Sequence, residues 1–90
     1  MRIRASKLQD RLLLEVQSDC EHIASLAKAL GDSLDRRDPF APLGKNLVYE
    51  RAAAVMPGCA SCIVPGAIVR ALWAEQGALL KKDASIHFEA

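Results

Sequence analysis

Aromatic side chains are scarce in this sequence: one Trp, one Tyr and two Phe, 4% of 90 residues. Hydrophobic residues nonetheless reach 51%, so any core must be aliphatic and alanine-rich. No apolar run approaches the ~20 residues of a membrane-spanning helix. The opening residues, Met1-Arg2-Ile3-Arg4-Ala5-Ser6-Lys7, hold no apolar segment of the kind that export uses. Excess charge is missing too, with 12 basic against 11 acidic residues and a net charge of +1. That balance gives no field to steer nucleic acid or to hold an anionic membrane. Neither is an expected partner, and the cytoplasm is the expected compartment. Catalytic signatures are also wanting: there is no phosphate-binding glycine loop, no His-Glu-x-x-His and no Ser-His-Asp spacing. Enzymatic activity is therefore less expected than a binding or carrier role.

A chain of this length buries roughly 60–65% of the surface its unfolded form exposes, which allows one modest core. A single domain over residues 1–90 is expected. The patterning begins with Arg2 to Lys7, weakly alternating, and Arg11 to Gln17, where Leu12, Leu14 and Val16 alternate with polar neighbours. Leu8-Gln9-Asp10 between them predicts a turn, and the two runs a β-hairpin. Leu13 interrupts the polar side and points to partial cover there.

Ser18 and Glu21 have the spacing of a capping box and predict a helix start. Ile23, Leu26, Ala27 and Leu30 follow at helical spacing, and Gly31 suits the left-handed cap that closes a helix. Residues 32–37 suggest a short helical turn. Asp38 to Gly44, with two prolines, reads as a loop in which Phe40 and Leu43 turn inward. Asn46 can cap a second helix from about Leu47 to Met56, stopped by Pro57-Gly58. Pro65 fits the first turn of a third helix, where its missing amide costs nothing. Ile68, Val69, Leu72 and Trp73 make that helix apolar on most sides, and Gly77 ends it. Ala84 to Glu89 alternates as a closing strand. The sum is an α+β fold: a small three-stranded, mainly antiparallel sheet in the order ββαααβ, with helices packed on one face.

One stretch concentrates the chemistry. Pro57-Gly58-Cys59-Ala60-Ser61-Cys62-Ile63-Val64-Pro65-Gly66 holds two of three cysteines, two of four prolines and two of five glycines. Cys59 and Cys62 form a Cys-x-x-Cys pair, a spacing that serves a redox dithiol or half of a metal site. Cys20 falls at the start of the first helix, where free amides and the dipole favour an anion. Taken alone it reads as a small buried hydrophobe. Together, Cys20, Cys59 and Cys62 would offer three thiolates to zinc or an iron–sulfur cluster, with the fourth ligand unassigned. His22 stands two residues from Cys20 and so points to the other side of a helix. His87 lies on an expected outward strand face. An odd number of cysteines in a reducing compartment does not describe a disulfide framework.

Cys62-Ile63-Val64-Pro65 before an apolar helix resembles, locally, the Cys-Pro-x-Pro helix start of small sulfur-carrier proteins, with Ile63 where that motif has its first proline. The resemblance implies a sulfur-accepting cysteine. Over nearly the whole length, Glu15 through Cys20, Pro42-Leu43-Gly44, Val48-Tyr49-Glu50, Cys62 to Pro65 and the closing strand resemble a family of small uncharacterised prokaryotic domains, found mainly in anaerobes. That resemblance implies a single domain and no particular activity. Two functions are thus expected as alternatives. One is a thiol protein using Cys62 and Cys59, with or without Cys20, as a redox, sulfur-accepting or metal-thiolate site. The other is an interaction module, a homodimer, suggested by Leu13, Trp73, Leu79 and Leu80 as apolar residues in excess of one small core.

Overall fold

The computed structural model describes residues 2–60 and 62–77. Two strands open the chain, β1 (Arg2–Leu8) and β2 (Arg11–Gln17), paired antiparallel along their full length from Arg2–Gln17 to Leu8–Arg11. The expected hairpin is present. Its two loop residues are Gln9 and Asp10, and Gln9 has φ 57°. A positive φ at the first loop position alone is the pattern of a type II′ turn, whose twist suits a hairpin.

Helix α1 (Glu21–Leu30) follows, with Ile23, Leu26 and Leu30 buried. It begins two residues later than a cap at Ser18 would place it. Cys20 is the N-cap residue and gives no side-chain cap. The Ser18 hydroxyl instead accepts from the Cys20 amide at 3.1 Å, tightening the turn before the helix. Gly31 closes α1 at φ 79°, its amide donating to the Ala27 carbonyl at 3.1 Å.

Residues 33–35 correct the sequence reading. Instead of a helical turn, Ser33–Asp35 is a third strand, β3, antiparallel to β2 with Leu34 opposite Leu12. A few residues cannot nucleate a helix for themselves, whereas an existing strand edge offers hydrogen-bond partners at once. Leu34 is almost wholly buried in exchange. The sheet order is β1-β2-β3, so the three-stranded antiparallel sheet of an α+β fold is as expected, with Ser33–Asp35 as its third strand. The strand expected over 84–89, and Leu79 and Leu80, lie outside the described residues.

The segment to Asn46 makes two short 3₁₀ turns, Asp38–Phe40 and Leu43–Lys45. Helix α2 (Leu47–Val55) is capped as predicted: the Asn46 side-chain oxygen accepts from the Val48 amide at 3.0 Å. Helix α3 (Val64–Glu75) carries Pro65 in its first turn and ends before Gly77, at φ 80°.

Register puts Ile3, Ala5, Leu12, Leu14 and Val16 on one face of the hairpin. That face meets Leu26, Val48, Ile68 and Leu72 in a single core. Helix α3 lies against β1, and α1 against β2 and α2. Burial of each large aliphatic side chain contributes about 1.5–3 kcal/mol.

Phe40 and Leu43 do not turn inward; they are 43% and 74% exposed. Trp73 is better covered than Phe40. It is half-buried, stacks on Phe40 with ring centroids 5.0 Å apart, and donates its indole N–H to the Pro39 carbonyl at 2.6 Å. Leu13 is likewise half-buried, so neither it nor Trp73 is a fully exposed surplus. Among the described residues, the exposed large apolar side chains are Leu8, Phe40, Leu43 and Ile63, at the end of β1, in the loop before α2 and in the cysteine stretch. Among the described residues no helix is long and apolar enough to cross a membrane.

Candidate thiol site

Helix α2 ends because Pro57 cannot continue it, and Pro65 fixes the start of α3. Between them the backbone makes two successive turns. The Cys59 amide donates to the Met56 carbonyl at 3.1 Å, and the Cys62 amide donates to the Cys59 carbonyl at 3.1 Å. The second bond makes Cys59 and Cys62 the two ends of one β-turn. The ends of such a turn lie less than about 7 Å apart at Cα. The Cα span of a disulfide is about 4.4–6.8 Å, most of the range that such a turn allows.

Both side chains are half-buried free thiols packed against the core. They share a cleft of about 290 Å³. Its wall on the α2 side is one helix face, Tyr49, Ala52, Ala53 and Met56; Pro65 closes it from α3. No side-chain hydrogen bond involves either cysteine among the described residues. The start of α3 is open as well: Ile63 is its N-cap residue and provides no side-chain cap. Cys62 therefore sits just outside an uncapped helix end, where the dipole is positive.

Tyr49 lines this cleft and Gly66 lies beside its hydroxyl; the sequence reading named neither as a site residue. Gly66 is in the first turn of α3, where glycine is a poor helix former. A Cβ placed there would stand 3.2 Å from the Tyr49 hydroxyl oxygen. The glycine leaves room for a phenol that reaches from α2 across to α3, beside the cysteines. Helical register, Tyr49 one turn before Ala52 and Ala53, was the signal available for it.

Cys20 is elsewhere. It is exposed at the start of α1 and takes no part in the cleft. The expectation that it is a buried packing residue is corrected by that exposure: Ile23, three residues on, carries the burial on that side of the helix. Among the described residues, no three His, Cys, Asp or Glu side chains gather closely enough to hold a metal ion. Cys20 thus does not join Cys59 and Cys62 in one ligand set, because the site's turns hang between α2 and α3 while Cys20 precedes α1. His22 is exposed on α1, and His87 lies outside the described residues. The turn presents two thiols rather than three.

Neither the curated proteins nor the solved structures compared with this chain include a match. A family model does match it, over residues 1–88. On that coverage the chain is a member of a family of unknown function, DUF6951.

Proposed function

We propose that the protein is a small thiol carrier of reducing equivalents, in which Cys59 and Cys62 cycle between a dithiol and a disulfide. The observation that carries this reading is the Cys62 amide to Cys59 carbonyl bond of 3.1 Å, which makes the pair the ends of one turn. The oxidant is a partner disulfide. One cysteine, as thiolate, attacks a sulfur of the partner S–S bond, giving a mixed disulfide and releasing one partner thiolate. The second cysteine, as thiolate, attacks the protein sulfur of that mixed disulfide, closes the Cys59–Cys62 bond and releases the second partner thiolate. Two protein thiols thereby lose two electrons, the partner S–S bond gains them, and two protons end on the two released thiols.

The test is equilibration of anaerobically purified protein in dithiothreitol buffers of graded redox potential, followed by acid quench, alkylation and mass spectrometry. The expected product has lost two hydrogens, yields a Cys59–Cys62 linked peptide and keeps Cys20 alkylatable. Three alkylated cysteines at every potential, or a link to Cys20, would overturn the proposal. Zinc or iron retained by the wild type and lost from Cys59→Ser would make the pair metal ligands instead. A mass gain of one sulfur atom on Cys62 without any disulfide would make it a sulfur acceptor.

A further inference from the structure

The lining of the thiol cleft restricts which disulfide can react there. From α2 it presents the methyl groups of Ala52 and Ala53, from the residue that follows the helix the Met56 side chain, and from the turns Pro57 and Ala60. The one polar side chain among the described lining residues, besides the cysteines, is the Tyr49 phenol; none is Asp, Glu, Lys or Arg. Ile63, beside Cys62, is 62% exposed and extends the apolar surface outward. By helical register Glu50 stands one turn before Ala53, on the exposed side of α2, so the charge it adds nearby is negative.

A charged disulfide entering this cleft loses water and meets no charged side chain among the described lining residues, a cost that an uncharged one avoids. We infer that the site, as the dithiol proposed above, selects disulfides whose flanking groups are uncharged and apolar, and discriminates against charged ones such as glutathione disulfide. The inference rests on that dithiol reading. The exchange itself is unchanged: the protein pair loses two electrons to the incoming S–S bond, which leaves as two thiols.

The experiment measures second-order rate constants for oxidation of the fully reduced protein by four probes. Bis(2-hydroxyethyl) disulfide and the disulfide-linked dimer of the peptide N-acetyl-Ala-Cys-Ala-amide are neutral, one a small molecule and one a polypeptide. Glutathione disulfide is anionic and cystamine is cationic. Each rate is divided by that of N-acetylcysteine amide with the same probe, which removes intrinsic reactivity. The expected result is a normalised rate about tenfold higher for at least one neutral probe than for both charged probes, a difference that 1.4 kcal/mol of desolvation produces. A faster reaction of the peptide dimer assigns the substrate to polypeptides; a faster reaction of the hydroxyethyl compound assigns it to small molecules.

Ala53→Lys supplies the second arm. Ala53 is exposed, so the change is not expected to unfold the helix, and it puts a positive charge into the lining. It should raise the glutathione disulfide rate and lower the cystamine rate. Normalised rates equal for all four probes, or unmoved by Ala53→Lys, overturn the selectivity while leaving the dithiol in place. Failure of every probe to close Cys59–Cys62 overturns the dithiol reading itself.

Discussion

Two irregular segments of this chain are alike on paper and opposite in construction. Residues 36–46 and residues 56–63 each precede a helix, and proline punctuates both. The first is tied through side chains. Asn46 donates to the Pro39 carbonyl at 3.2 Å and the Ala41 carbonyl at 3.1 Å while its oxygen caps α2. Trp73 reaches from α3 to the same Pro39 carbonyl, and Gln76 donates to the Arg36 carbonyl at 2.9 Å. Both segments make backbone turns, two 3₁₀ turns in the first and those at Met56–Cys59 and Cys59–Cys62 in the second, but among the described residues the second adds no side-chain hydrogen bond to them. Where side chains hold the loop, they are spent on structure. Where backbone turns suffice, the cysteine side chains hold no hydrogen bond.

The largest effect that could break this contrast is at Asn46. Asn46→Ala removes a helix cap, worth about 1 kcal/mol, and takes its amide donors from the Ala41 carbonyl and from the Pro39 carbonyl, which keeps Trp73, at about 1–3 kcal/mol. A loss of about 2–4 kcal/mol in urea-denaturation stability is expected. Asn46→Ser, which keeps the capping oxygen, should recover about 1 kcal/mol of that loss. Cys59→Ser and Cys62→Ser should each cost less than about 1 kcal/mol, since neither thiol holds a hydrogen bond. Equal losses at Asn46 and at the cysteines would erase the distinction between the two segments.

A smaller effect sharpens the account of the thiol cleft. Replacing a helical glycine by alanine gains about 0.5–1 kcal/mol, but at Gly66 the new methyl would press on the Tyr49 hydroxyl at 3.2 Å. Gly66→Ala alone should leave stability within about 0.5 kcal/mol of wild type. In a Tyr49→Phe background the same change should stabilise by about 0.5–1 kcal/mol. Identical effects in both backgrounds would show that the phenol and the glycine do not press on each other.

The smallest expected effect belongs to the loop that side chains organise. The Asp35 carboxylate accepts from the Arg37 amide at 2.9 Å and lies 3.5 Å from the Arg37 guanidinium. The amide bond first, and the guanidinium after it, hold the Asp35 carboxyl below its ordinary value. A carboxyl depressed in the folded state stabilises the fold above its ordinary value, and the contribution fades as pH falls through the folded one. Thermal melts below pH 4, compared between wild type and Asp35→Asn, should converge as acid removes what the substitution has already removed.

Much of this architecture was legible in the residues. The hairpin followed from Leu12, Leu14 and Val16, α1 from Ile23, Leu26 and Leu30, and the cap of α2 from Asn46, because each rests on local periodicity or a local hydrogen bond. What escaped depended on distant partners. Ser33–Asp35 became a strand because β2 offers an edge to Leu34, and the ring that Phe40 lies against, Trp73, comes from distant α3. The site divided in the same way. The pairing of Cys59 with Cys62 is written in their spacing, but the separation of Cys20 and the meeting of Tyr49 with Gly66 are set by how α1, α2 and α3 pack.

That α3 rests on β1 also sets an order in time. The hairpin closes over a two-residue loop, a contact that costs little chain entropy, whereas bringing α3 back to the first strand must close nearly the whole described chain. The cleft around Cys59 and Cys62 needs the start of α3, so its wall is completed only at that late step. Until then both thiols face solvent, an interval that pulsed alkylation during refolding would time against protection of the hairpin amides. Cys59 and Cys62 are thus expected to be among the last side chains that the fold covers.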